Sequence, residues 1–462
     1  MLGLFGSGSG DLPLGQEIRL RNGGTTGIVG KKLGAGGQGA VYLVDVGGRQ
    51  LALKWYHLRV VQLDTTLRER IERLIQEGPP DKRFLFPFDL VTIEGRPEFG
   101  YVMPVVSDDR RPFSDIRLAP PKRLDLTLEA RATACHEIAE SFQQLHIRGF
   151  SYQDLNFGSF FVDPIRGGVL ICDADNITPE GMLGGVLGTP KFMAPEIVRR
   201  EPGIVPSSQT DLYSMAVLFF YALFQWHPLE GKREAALREQ TPETQMQLYG
   251  REPLFIFDPA SDANGPVPGA HDWVVARWRA MPAYLRELFV RSFTDGLFRP
   301  EARVIETEWR SAMARLRDAV TPCPACTFEI PLDVTSGAAP DCPLCGARVP
   351  RPTRMTLGRY LVAMRPDRQL YAHHVEPAAP VALREQVATV DRHPSDETII
   401  GLRNLTEAPW QGRTSEGKPM TIVPGRTVRI LDGLGIDFGQ ATGRREGVVA
   451  GGDPQGGDRS AA

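Results

Sequence analysis

The stretch from Ser151 to Glu196 constrains this chain more than any other. It reads SYQDLNFGSFFVD, then VLICDADN, then GTPKFMAPE. One acid, Asp154, falls on a loop; a short hairpin pattern follows; a second acid, Asp173, stands at a strand end; and Ala194-Pro195-Glu196 closes the segment. A lone Asp-Leu or Asp-Ala-Asp is ordinarily loop solvation or a helix cap. The ordered spacing with Gly188-Thr189-Pro190 and Ala194-Pro195-Glu196 argues for a joint role instead.

With 462 residues, 42% hydrophobic and 24% charged, the chain can bury a large core and is expected to hold about two to four domains. A formal net charge of −3 provides no electrostatic footprint for nucleic acid, and Arg348, Arg351 and Arg354 read as a solvated patch. Nothing resembles a secretory signal, and the longest apolar run, Met215–Trp226, is too short to cross a bilayer and reads as a buried helix. A soluble cytoplasmic protein is expected. Four of the six cysteines fall in two CPxC pairs, while Cys135 and Cys172 lie far apart in apolar surroundings.

Along the chain, residues 1–24 read as a flexible lead-in. KKLGAGGQGAVYLVDV reads as strand, glycine turn and strand, and Leu51-Ala52-Leu53-Lys54 follows about a strand later. Asp64–Gln76 is a helix with Leu67, Ile71, Leu74 and Ile75 on its apolar face. FGYVMPVV reads as a strand, Leu126–Gly149 as a long amphipathic helix, and TDLYSMAVLFFYALFQWHP as a buried one. Glu230–Met281 is a polar insertion rich in turn residues, with no assigned role.

In this order the motifs resemble those of a Hanks-type serine/threonine protein kinase over residues 27–316. The resemblance implies an α+β bilobal fold over 25–318, with an N-lobe at 25–103 and a C-lobe at 104–318. It implies phosphoryl transfer, in which protein groups mainly position reactants and neutralise charge. Leu33, Gly34, Ala35, Gly36, Gly37, Gln38, Gly39 and Val41 would cover the nucleotide. Ala52 would sit against the base, Met103 at the back of the pocket, and backbone at Pro104–Val106 on the adenine edge. Lys54 would clamp the phosphates of ATP, held by Glu72, with Glu69 as the alternative. Asp154 would act on the attacking hydroxyl beside Asn156 and Thr189. Asp173, Ser159 and Asp175 would hold Mg2+ or Mn2+. Asp211 would brace the catalytic loop, and Arg303, in preference to Arg299, would pair with Glu196.

The chain departs from the family pattern at several positions. Tyr152-Gln153 replaces His-Arg, so no arginine awaits a phosphorylated activation loop. Asn156 stands where a lysine is usual, Ser159 where an asparagine is usual, and Asp173-Ala174-Asp175 replaces Asp-Phe-Gly. Thr178 is nearly the only free hydroxyl of the Asp173–Glu196 segment, and the sequence leaves open whether it is modified. A pseudokinase scaffold that binds nucleotide and recruits partners is the alternative these losses support.

Cys323, Cys326, Cys342 and Cys345 have the C-x2-C-x15-C-x2-C spacing of a zinc ribbon, expected at 319–352 with one structural Zn2+. Residues 353–447 alternate hydrophobic and polar and read as an all-β domain, and the tail at 448–462 as disordered. The last strands of the β domain resemble a forkhead-associated domain, although its Ser-x-x-His element is missing, so phosphate binding does not carry over. DLNFGSFFVD, VLICDADN and the ribbon together resemble bacterial kinases that accompany von Willebrand-type proteins and phosphatases in tellurium-resistance-like gene clusters. That likeness implies a protein substrate and those two classes of partner.

Overall fold

The computed structural model describes residues 11–185, 187–333, 341–439 and 443–452. The N-terminal lobe is a closed barrel of strands β1 (Glu17–Leu20), β2 (Thr26–Ala35), β3 (Gly39–Val46), β4 (Arg49–Tyr56), β5 (Asp89–Thr92) and β6 (Phe99–Met103), in the order β1-β2-β3-β4-β6-β5. Alternation of side chains places Ile18, Leu20, Val29, Tyr42, Val44, Leu51, Leu53 and Val102 inside it. Two short helices, α1 (Leu58–Leu63) and α2 (Leu67–Glu77), follow β4. Leu67, Ile71 and Leu74 of α2 are buried, as the spacing of its apolar residues requires.

The expectation of a flexible lead-in over 1–24 is corrected by β1. Glu17–Arg19 pair with β2, and Arg19 and Leu20 pair with β5, so this strand closes the barrel. Four residues of alternation are a faint sequence signal, and their partner in β5 lies about seventy residues away. Residues 1–10 of that expectation lie outside the described residues.

The C-terminal lobe is helical. Helix α3 (Leu128–Ile147) starts at Thr127, whose hydroxyl accepts from the Ala130 amide at 3.0 Å. It packs against the helix Ser208–Phe224, most of which is buried, and against the helix Glu306–Asp318. One apolar core runs from Ala52 and Met103 of the barrel through Phe142, Phe220 and Trp309 to Val320.

The insertion after Glu230 is less polar than its turn residues suggest. Phe255 and Ile256 are buried, and Phe257 stacks on Trp278 with ring centroids 4.6 Å apart. Glu230 is also buried and accepts from Lys191 Nζ and the Tyr249 hydroxyl, both at 2.6 Å. The insertion thereby holds the segment before Ala194-Pro195-Glu196.

Beyond the lobe, Val320–Pro322 and Glu329–Pro331 form a hairpin that carries the first cysteine pair. Two sheets then face each other across a shared core. The larger has the order Tyr360–Ala363, Arg354–Leu357, Glu446–Ala450, Gly435–Asp437, Trp410–Arg413, Pro419–Ile422; the smaller, Gln369–Tyr371, Gln386–His393, Asp396–Asn404, Thr427–Arg429. The expected disordered tail at 448–462 is corrected at its start, because Glu446–Ala450 pairs on both sides within the larger sheet. Residues 453–462 lie outside the described residues. Among the described residues no helix is long and apolar enough to cross a membrane.

Candidate active site

The loop after α3 is fixed by a buried carboxylate. Asp211, in the first turn of the helix Ser208–Phe224, accepts the Tyr152 amide at 2.7 Å and contacts His146 Nε2 at 3.1 Å. His146 also bonds Glu306. Burial would lower the His146 pKa, but the two carboxylates outweigh it and raise it to about 9. Phe150–Ser151 pairs with Thr178–Pro179, which draws the loop against the segment that follows Asp173.

On this loop Asp154 meets Asn156 and Thr189. The Thr189 hydroxyl donates to Asp154 Oδ1 at 2.8 Å, and Asn156 Nδ2 lies 3.1 Å from both Asp154 Oδ1 and Thr189 Oγ1. Three residues spread over thirty-five positions thus share one hydrogen-bonded cluster around a carboxylate that is only half-buried. Such a carboxylate can orient a hydroxyl and take its proton.

The unusual neighbours of Asp154 have partners of their own. The Tyr152 ring is buried against Phe142, and its hydroxyl donates to the Cys172 carbonyl at 2.5 Å, fixing the residue before Asp173. Gln153, at a left-handed φ of 61°, bonds Thr178 Oγ1, donates to the Met182 carbonyl at 2.6 Å and accepts from the Gly184 amide at 2.8 Å. Thr178 is 1% exposed, so the reading of a free hydroxyl is corrected: it is an internal partner of Gln153. Ser159 is also buried, and its hydroxyl donates to the Asp154 carbonyl at 3.1 Å.

Lys54 enters the site from β4. Its Nζ lies 3.0 Å from Asp173 Oδ1, 2.7 Å from each Asp175 oxygen and 3.1 Å from Gln38 Oε1. The pairing of Lys54 with Glu72 is corrected. Glu72 bonds Arg21 and Arg68 on the outer side of α2, and Glu69 is exposed. The reason is local: β1 delivers Arg21 to α2, and Asp175 supplies the carboxylate the lysine needs. Asp175 as a metal ligand is corrected for the same reason, because its side chain is 1% exposed and both oxygens are taken by Lys54. Asp173 differs, with a side chain 41% exposed and a left-handed φ of 53°.

The glycine-rich turn sits above this lysine. A Cβ on Gly39 would lie 2.2 Å from the Trp55 carbonyl, so strand packing demands that glycine. At Gly34, Gly36 and Gly37 a Cβ would meet nothing within 4 Å, so packing does not demand these glycines and the turn has open space beside it. Leu33 and Ala35 are exposed and Val41 half-buried beside it. At the back, Ala52 pairs with Met103, both buried, while Pro104 is exposed and Val106 half-buried. The residues around the turn therefore fit a nucleotide, with Asp173 as the carboxylate open to a cation.

Two further expected groupings are assembled. Arg303 Nη1 and Nη2 each lie 2.9 Å from a Glu196 oxygen, a buried bidentate pair, whereas Arg299 pairs with Asp295. Cys323 and Cys345 Sγ are 3.7 Å apart, Cys326 and Cys342 3.5 Å, and all four sulfurs lie within 4.8 Å of one another. A tetrahedron with Zn–S bonds of ~2.3 Å has edges of about 3.8 Å, so the four cysteines fit one zinc ion.

Tyr56 and Tyr101 went unnoticed in the sequence. Their hydroxyls donate to Asp175 at 2.9 and 3.1 Å. Strand alternation already places Tyr56 on the Lys54 face two residues on, but the Lys54–Tyr101 pairing is a matter of register between β4 and β6.

Residues 92–263 match the family model described as protein kinase domain. The chain is 29% identical to protein kinase C delta type of Rattus norvegicus over 251 residues, 50% of this chain and 35% of that protein. With the Mus musculus protein of the same name it shares 29% over 221 residues, 45% of this chain and 31% of the other. It is 30% identical to the dual serine/threonine and tyrosine protein kinase of Homo sapiens over 97 residues, 21% of this chain and 10% of that protein. The chain thus spans about a third or less of the length of these relatives.

Proposed function

We propose that the chain transfers the γ-phosphoryl of ATP to Ser or Thr hydroxyls of a partner protein or of itself. The cluster of Asp154, Asn156 and Thr189 supports this reading most, because it presents one carboxylate to a hydroxyl with two donors fixing its direction. Lys54 would hold the α/β-phosphates under the turn Gly34–Gly39. Asp173 would hold Mg2+ or Mn2+, which neutralises charge on the phosphates when bound. Ser159 could add only a lone pair, its proton being committed to the Asp154 carbonyl. The kinase domain match and the kinase relatives favour the same chemistry.

The four cysteines would carry one structural Zn2+, and the β-sandwich, proposed as forkhead-associated-like, would dock partners. A von Willebrand-type protein and a phosphatase are the proposed partner classes, and the cytoplasm the proposed compartment. Labelled phosphate transfer from ATP with Mg2+ or Mn2+ tests the reading. Wild-type protein is expected to label itself or a general acceptor, and Asp154→Asn to abolish the label. Label that persists equally in the variant would overturn it.

A second reading, a nucleotide-binding scaffold without turnover, is favoured by the commitment of Ser159 and Asp175 to internal bonds. Metal-dependent nucleotide binding with no transfer under either cation would select it.

A further inference from the structure

A lysine buried in a nucleotide site needs a fixed carboxylate, because an unpaired buried ammonium is costly and poorly placed. The expected donor, Glu72 on α2, is held on the outer side of its helix by Arg21 and Arg68. Two other acids reach Lys54, and they are not equivalent.

Asp173 touches it through one oxygen and stays open to solvent. Asp175 meets Lys54 Nζ with both oxygens at 2.7 Å and is shut off from solvent. The Tyr56 and Tyr101 hydroxyls donate to the same carboxylate from the barrel strands that carry and face Lys54. A cation thus has no approach to Asp175, whereas Asp173 has one. Resting on the phosphotransfer reading, we propose that Asp175 is the positioning residue of Lys54, replacing a carboxylate of α2, while Asp173 alone of the two acids serves the metal.

The cage explains why this chain has an acid where an Asp-Phe-Gly segment has glycine. It also explains the paired tyrosines, which would otherwise be hydroxyls buried without partners in the barrel floor. Burial opposes the charge on Lys54, but Asp175 and then Asp173 outweigh it and keep the ammonium above the ordinary lysine range. The position of Lys54 is set by the lobe that carries Asp175, so a swing of α2 would leave the lysine in place.

The test is binding of the fluorescent nucleotide mant-ADP to the full chain, with EDTA and across a Mg2+ titration. Asp175→Asn is expected to weaken Mg2+-free binding at least tenfold and to leave the half-saturating Mg2+ concentration unchanged. Asp173→Asn should do the reverse, raising the Mg2+ requirement. Tyr56→Phe and Tyr101→Phe, which keep every charge and most of the packing, should each weaken Mg2+-free binding two- to fivefold. Glu72→Gln should stay within twofold of wild type.

An Asp175→Asn protein that binds like wild type, or a Glu72→Gln protein that shows the larger loss, overturns the proposal. So does a wild type that binds no mant-ADP, because its lysine then positions nothing. Wild type that binds mant-ADP but transfers no phosphate would sink the phosphotransfer reading alone, leaving the roles of Asp175 and Asp173 decided by the binding data.

Discussion

Gln153 shows how one side chain can replace a switch. An arginine at its position would await a phosphate, whereas Gln153 already bonds Thr178, Met182 and Gly184 with neutral groups. The segment after Asp173 is therefore anchored without added charge, and phosphatase treatment is expected to leave the proposed phosphate transfer unchanged. Gln153→Ala strands the buried Thr178 hydroxyl, at a cost of about 1–3 kcal/mol. Hydrogen exchange at the Gly184 amide should accelerate by one to two orders of magnitude in that variant. Unaltered exchange would mean that the backbone of the segment holds itself.

At the scale of elements, two buried ionic contacts tie helices to loops. His146 on α3 lies between Asp211 and Glu306, and its pKa of about 9 exceeds the unfolded value of ~6.5. A group raised in this sense adds stability that is fully present below pH ~6.5 and is lost as pH rises through about 9. Urea unfolding should therefore show stability falling by roughly 3 kcal/mol across that window. In His146→Gln the slope should vanish. The Glu196–Arg303 pair joins the end of the site segment to the last turns of the lobe. Arg303→Met leaves a buried carboxylate unpaired and is expected to cost ~3–5 kcal/mol, read from the same unfolding curves. A loss below 1 kcal/mol would mean that water reaches Glu196.

Over the whole molecule, the sandwich is fastened to the kinase-like lobes by charge. Glu129 of α3 faces Arg317, Arg365 and Arg368, and Arg368 Nη1 reaches it at 2.8 Å with its side chain fully buried. Asp318 accepts from His374 Nε2 at 2.8 Å. Its ligand atoms also cluster with His373, but Arg317 at 3.0 Å and Arg368 at 4.0 Å supply the positive charge there, which favours an ion-pair network over a cation. Arg384 adds bonds to Asp81 and Glu140, touching both lobes. Glu129→Gln should loosen this contact, and limited proteolysis is expected to cut between the helix Glu306–Asp318 and the sandwich far faster than in wild type. Chelation of the proposed zinc should expose the four-cysteine segment to proteases while the proposed nucleotide binding persists, since the lobes share a core of their own.

Spacing along the chain was enough to specify the order of the site motifs, the long helices and the four cysteines, and the family resemblance added the Asp154, Asn156 and Thr189 roles and the Glu196–Arg303 pair. These are legible because each rests on residue types at fixed positions in short motifs, even where the motifs themselves lie far apart in the chain. The partner of Lys54, the strand that closes the barrel, the internal bonds of Thr178 and Ser159, and the charged seam under the sandwich were decided by the tertiary structure alone. In each of these, several residues of the right chemistry compete for one contact. Strand register and the packing of distant elements determine which of them arrives within 3 Å, and neither is written in the local sequence.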